Sequence, residues 1–274
     1  MPMRKAIVRF CLGALVALGA AAGARAQRPG PITPPENPKI KLIPLHPETA
    51  PTRIPPALIV AQFTANEAKF KAAYAKYDFQ QTIRVEELGT AGAPTGTYQV
   101  KVLSFLKANG KRYDRLLSHS SSSLEYVHLS TQDLEVLAEM PLFPLAGKQA
   151  DKYDFIYQGK EKLDQVDTFI FRVKPKQIIP GEQLFSGVVW VDDQEMAIVK
   201  SYGKFVNGEP PASGALPFSV FETVRENTQG KFWFPAFIRS DDMVAVGQNQ
   251  LPIRLVIRSS DFQLSHAKTN AITF

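Results

Sequence analysis

The chain has 274 residues, 45% of them hydrophobic and 21% charged, a length that allows one large β domain or two modest ones. Its formal net charge of +6 points towards nucleic acid or a membrane surface, but Arg4, Lys5, Arg9 and Arg25 all fall within the first 26 residues, where there is no acid, and without them the balance drops to +2. The remaining Lys and Arg are scattered among Glu and Asp with no run dense enough to grip phosphates, which excludes a nucleic-acid partner.

The N-terminus reads as a secretory signal. MPMRK supplies a basic start, an apolar stretch runs from about Phe10 to Ala22, and Ala24-Arg25-Ala26 precedes Gln27, so cleavage is expected after Ala26 and the mature protein is expected in the periplasm. The apolar stretch is shorter than the ~20 residues a membrane-spanning helix needs. The sole cysteine, Cys11, lies inside this segment behind Val8-Arg9-Phe10, which is not the small-residue context of a lipoprotein box. A mature chain without thiol, disulfide or lipid anchor must rely on its core for stability.

Residues 27–60 form a proline-rich leader, with Pro29, Pro31, Pro34, Pro35, Pro38, Pro44, Pro47, Pro51, Pro55 and Pro56. Such a segment holds neither helix nor sheet ladder and is read as disordered, either as an unstructured leader or as a spacer or docking arm. A single β domain is expected over 61–265, followed by a tail at 266–274.

The fold is expected to start near Phe63, where Thr64-Ala65-Asn66-Glu67 spells a capping box. The helix behind it carries Phe70, Ala73, Tyr74 and Tyr77 as one apolar stripe. Strands are expected over 79–88, 97–107 and 111–118, the last two joined by the Asn109-Gly110 turn. A serine loop at 120–123 leads to a short strand at 124–129, and Ser130 or Thr131 caps a brief second helix ending near Glu139. Met140 to Leu145 is apolar and stiffened by Pro141 and Pro144, a candidate lid or cavity plug or else a plain buried loop.

From Tyr153 to Lys204, aromatic and β-branched runs alternate with Gly, Asp, Lys and Pro turns, which reads as consecutive antiparallel strands. Phe169, Phe171 and Val173 face one way, and Thr168 and Arg172 the other. Further strands are expected over 218–226, 231–239, 243–247 and 251–262. Ten or eleven strands with few helices, no βαβ alternation and no long-period repeat predict a mainly β (α+β) protein: a strongly curved antiparallel sheet wrapped around one long and one or more short helices. A closed barrel or a two-sheet sandwich is the alternative.

No catalytic motif is present: neither G-x-S-x-G, H-E-x-x-H, a P-loop nor a dinucleotide loop occurs. His46, His119, His128 and His266 are far apart in sequence. Asp192-Asp193 and Asp241-Asp242 sit at expected strand ends, where Asp serves turns. Nothing orients His119 towards the serines beside it, so no catalytic residue, metal or cofactor is expected. The informative chemistry is apolar. Strand alternation groups Phe169, Phe171, Val173, Phe185, Val189, Val191, Phe218, Val220, Phe232, Phe234, Ile253, Leu255 and Ile257 on one face, with Phe70, Tyr74, Tyr77, Leu142 and Phe143 as helix and lid residues. This bulk belongs either to a dense core or to the lining of an apolar pocket.

The central stretch resembles a known pattern: Y-x-F-x-Y-x-G at Tyr153–Gly159, V-K-P-K at Val173–Lys176, F-S-G-V-V-W-V-D at Phe185–Asp192 and Ile198-Val199-Lys200, then F-E-T-V-R-E at Phe221–Glu226 and F-W-F-P at Phe232–Pro235. It is similar to the outer-membrane lipoprotein-sorting LolA/LolB-like superfamily, in its divergent uncharacterised bacterial branch, over most of 64–262. The resemblance implies an unclosed half-barrel with helices as a lid, a cavity for acyl chains, and a monomeric carrier of lipid or acylated lipoprotein, with transfer partners at the inner or outer membrane and no chemical conversion. The missing lipid-attachment cysteine departs from a membrane-anchored acceptor, and the proline leader lies outside the pattern. The rival reading is an exported adaptor of the cell envelope with a filled core, which recruits a partner through its proline arm or a sheet edge.

Overall fold

The computed structural model describes residues 53–130, 133, 137, 142–208 and 218–266. The signal segment, residues 27–52 of the proline-rich leader, most of the expected second helix, Met140-Pro141 and residues 267–274 lie outside them.

The first element, α1 (Pro56–Tyr74), begins seven residues before Phe63, inside the segment assigned to the leader. Pro56 stands at its first turn, where a missing N–H costs nothing and the fixed φ suits a helix. Leu58 and Ile59 donate their amides to the Pro55 carbonyl at 2.9 and 3.3 Å. The capping box is therefore corrected: Thr64 sits mid-helix and its hydroxyl donates to the Val60 carbonyl at 2.8 Å. A helical Thr bonding back one turn has the same spelling as a cap. Tyr77 is also corrected, because α1 ends at Tyr74 and Tyr77 opens the first strand. Arg112 closes the helix end by donating to the Tyr74 and Tyr77 carbonyls at 3.3 and 2.8 Å, a cation where the helix dipole is negative.

Ten strands follow: β1 Tyr77–Leu88, β2 Pro94–Leu106, β3 Arg112–His119, β4 Tyr153–Leu163, β5 Val166–Pro175, β6 Leu184–Asp192, β7 Ile198–Val206, β8 Val220–Thr228, β9 Phe232–Val246 and β10 Asn249–Leu264, with a short 3-10 helix at Gly147–Lys152. They make one antiparallel sheet in the order β3-β2-β1-β10-β9-β8-β7-β6-β5-β4. β3 and β4 are its two free edges, so the protein is mainly β with an unclosed sheet. Two strand expectations change. Residues 243–246 continue β9 rather than forming a strand of their own, and Gly247 lies in the turn to β10. Residues 124–129 form no strand; they are an irregular segment that packs Leu124, Val127 and Leu129 onto the sheet.

The inner face, which carries α1, is mostly apolar. Ile83 pairs with Ile257, and Ile257 with Ile238, while Val85 pairs with Leu255. Residues between these turn outwards and pair by charge: Arg254 donates to Asp241 at 2.8 Å, Arg84 meets Glu86 at 2.8 Å, and Lys200 meets Glu222 at 2.5 Å. Asp241 therefore lies within β9, not at a strand end, and Asp242 accepts from the Ser219 amide at 3.1 Å. Asp192 serves a turn as expected, its carboxylate accepting the Gln194 amide at 2.8 Å. The serine run is likewise structural, since the Ser120 and Ser123 hydroxyls accept the Gln99 and Thr97 amides at 3.0 and 2.9 Å and extend the ladder beyond β3.

Candidate ligand-binding site

Two roofs cover the inner face. Over β4–β7 the roof is α1: Ile59 and Phe63 are fully buried, and Phe63 packs between Phe155 and Phe171 with ring centroids 5.6 and 5.7 Å away. Further along α1, Tyr74 meets Phe143 at 5.5 Å and Phe234 at 5.2 Å. Enclosure by these rings pushes the Tyr74 phenol above its ordinary range, against the pull of Arg112.

Between those aromatic contacts α1 buries a charge. Glu67 is fully buried and receives both terminal nitrogens of Arg225 from β8, with Nη2 to Oε2 at 3.0 Å. Arg225 Nη2 also donates to the Leu142 carbonyl at 2.9 Å, and its guanidinium lies 4.7 Å from the Phe143 ring centre. One ion pair thus joins the helix, the sheet and the apolar connection at 142–145. Loss of hydration raises the Glu67 carboxyl above its ordinary value, and Arg225 offsets part of that rise.

Over β1, β2, β10 and β9 the roof is the irregular segment after the serines. It is held by Glu87, a buried carboxylate that accepts the amides of Glu125, Tyr126 and Val127 at 2.9, 2.7 and 2.8 Å. Ser130 and Asp133 bond reciprocally, with Ser130 N to Asp133 at 2.7 Å and Asp133 N to Ser130 at 3.2 Å, so Ser130 makes the bonds of a cap, while Thr131 lies outside the described residues.

At one place in β6 and β7 the floor of the sheet has no side chains of its own. Gly187 pairs with Gly203 across β6 and β7. A Cβ at Gly187 would stand 2.3 Å from the Tyr202 carbonyl oxygen, and one at Gly203 would stand 2.4 Å from that of Ser186, so the approach of the strands demands glycine at both places. The Phe185 ring lies over this notch, close to both glycines. Beside it is a pocket of about 20 Å³ lined by Leu142, Pro144, Phe185, Ser201, Gly203, Phe205, Phe221 and Thr223. That is room for about one water molecule.

The predicted site residues divide among three clusters. Phe169, Phe171, Val173, Phe185, Val189 and Val191 pack with Ile59, Phe63 and Leu145. Phe70, Tyr74, Tyr77, Phe143, Phe232 and Phe234 come together with Trp190 and Trp233. Phe218, Ile253, Leu255 and Ile257 lie under the irregular roof, and Leu142 touches both of the last two clusters. Val220 is corrected: it pairs with exposed Lys204 and faces away from the pocket, whereas its neighbour Phe221 lines it. Phe218 precedes β8, so counting by twos from it gave the wrong face. Sequence reasoning also missed Trp233, fully buried with its indole nitrogen donating to Glu195 at 2.6 Å, and the pair Glu67 and Arg225. Glu87 did leave a signal, since it continues the alternation of Ile83 and Val85.

No protein-family model matches the chain, and no curated protein does. Among solved structures, the chain is similar to a LolA superfamily protein from Nitrosomonas europaea at 14% identity and a TM-score of 0.36, over 81% of this chain and 98% of that one. It is similar to an outer membrane lipoprotein-sorting protein domain from Vibrio parahaemolyticus at 14% identity and a TM-score of 0.34, over 76% and 94% of the two chains. A DUF1329 family protein from Desulfovibrio piger matches at 16% identity and a TM-score of 0.31, over 75% and 95%. Among the described residues no helix is long and apolar enough to cross a membrane.

Proposed function

We propose that this is an exported, periplasmic lipid- or lipoprotein-binding protein that holds an acyl chain against the inner face of its sheet and releases it unchanged. The observation that carries this reading is the glycine notch at Gly187 and Gly203, filled by the Phe185 ring beside a pocket that Leu142 and Pro144 line. A space for one water admits no acyl chain, so binding requires the ring and the 142–145 roof to move aside, a pocket populated by its ligand. Burial of about ten methylenes contributes ~8 kcal/mol, which offsets that displacement and leaves reversible binding. Phe169, Phe171, Val189 and Phe234 then form the walls, and transfer partners sit at the inner or outer membrane.

The test is native mass spectrometry of the chain exported with its own signal segment and purified from the cell envelope. The parent protein should carry a lipid mass, Phe185→Ala should carry more of it, and Thr223→Trp, which fills the pocket, should carry none while keeping its circular dichroism. Bare polypeptide mass for both the parent and Phe185→Ala overturns the reading. The small pocket favours a second one in that event, an envelope adaptor with a filled core.

A further inference from the structure

β3 is the least protected element of the sheet: seven of its eight residues are exposed. Tyr113, Leu116 and Leu117 show 36, 57 and 42% of their surface to solvent. The phase of the β2–β3 hairpin follows from the Lys107 amide donating to the Lys111 carbonyl at 3.0 Å. Counting along the register, Phe105 with Tyr113 and Leu103 with Arg115 are the hydrogen-bonded pairs. Arg112, Asp114 and Leu116 consequently turn their N–H and C=O groups away from β2, a free row of donors and acceptors.

Charge concentrates at the same edge. Residues 101–119 hold Lys101, Lys107, Lys111, Arg112 and Arg115 against Asp114 alone, a local balance of +4. Residues 27–274 together carry +2, so everything outside this hairpin sums to −2. Edge strands this open are templates for strand addition. A second copy of this chain is disfavoured there, because +4 would face +4.

We propose that β3 is a docking edge that takes an extended, acidic segment of a partner protein as a further strand, with acidic residues meeting Lys101 and Arg115 and apolar ones packing on Leu116 and Leu117. The proposal stands whether or not the inner face holds a lipid.

The probe is a synthetic peptide as long as β3, eight residues, alternating glutamate and valine, titrated into the folded chain by calorimetry. It should bind, and its lysine–valine counterpart should not. Asp114→Pro removes an outward donor without touching the β2 ladder and makes the edge more positive. It should nonetheless weaken binding about tenfold or more, through hydrogen bonds that can no longer form. Arg115→Glu, which leaves the strand intact, should weaken it comparably and keeps the test decisive if the proline variant does not fold. Failure of the parent to bind overturns the proposal. So does Asp114→Pro binding as tightly as the parent, which would mean attraction by charge alone. Vesicles of phosphatidylglycerol that bind the parent and Asp114→Pro equally, and displace the peptide from both, would reassign the edge to a membrane surface. Concentration-dependent dimers in sedimentation, abolished by Asp114→Pro, would reassign it to a second copy.

Discussion

One sheet carries two roofs, a helix over β4–β7 and an irregular segment over β1, β2, β10 and β9, and they are fastened in different ways. The helix satisfies its own backbone and can spend its inward side chains on packing, so Ile59, Phe63 and Phe70 are buried and Glu67 is the one charge beneath it that joins an ion pair with the sheet. The irregular segment has backbone amides that no ladder takes up, and the sheet supplies the Glu87 carboxylate for three of them. A roof that is already regular is fastened through its side chains, by packing, by the Glu67–Arg225 pair and by Asn66 donating to the Glu195 and Met196 carbonyls. A roof that is not must be bonded through its backbone, because a buried amide without an acceptor costs about 1–3 kcal/mol.

The difference is open to attack, first at the helix. Arg225→Met strands the Glu67 carboxylate and frees the Leu142 carbonyl, and is expected to destabilise the protein by roughly 3–5 kcal/mol in urea unfolding. The double variant Glu67→Met with Arg225→Met should recover most of that loss. Phe63→Ala, which empties a fully buried site among rings, is expected to cost about 3–5 kcal/mol without changing exchange at residues 125–127. On the other side Glu87→Gln, whose NH2 cannot accept and so gives up at least one of the three hydrogen bonds along with the charge on the rest, is expected to cost about 1–3 kcal/mol. Its signature is local: amide exchange at Glu125, Tyr126 and Val127 should quicken while α1 stays protected. Equal quickening under both roofs would show that they open as one unit.

A pH titration sharpens the contrast. Burial raises the folded Glu67 pKa above its ordinary 4.5, so its contribution is fully present below that value and is lost as pH rises through the folded pKa. The parent should therefore lose stability relative to Glu67→Gln as pH climbs out of the carboxylate range, and Arg225→Met, which removes the offsetting cation, should lose it over a wider span. The smallest effect is expected from Ser123→Ala, about 0.5–1.5 kcal/mol, since the Thr97 amide it leaves is solvent-facing and water replaces the hydroxyl.

How much of this could be read beforehand follows the same division. β4–β7 were legible because in-and-out alternation there is regular: Phe169, Phe171 and Val173 are buried as read, beneath a helix whose Phe70 and Tyr74 were also identified. The start of that helix was not legible, since Thr64 and Glu67 have the spacing of a cap whether or not they form one. Glu67 owes its role to Arg225, 158 residues away, a partner that no local pattern announces. The irregular roof defeated a method built on periods, which read residues 124–129 as a strand because they are apolar. In β9 alternation failed, for Trp233 and Phe234 are both fully buried although they are neighbours.

The pairing of β1 with β10 joins Ile83 to Ile257, and it is the ladder that makes one sheet of the hairpin group β1–β3 and the meander β4–β10. During synthesis those groups emerge far apart in time, and the sheet cannot become continuous until its last strand has left the ribosome. Each group can close its own hairpins before then, so the union of β1 with β10 is the pairing of longest sequence separation and the one that loop-closure entropy makes slowest.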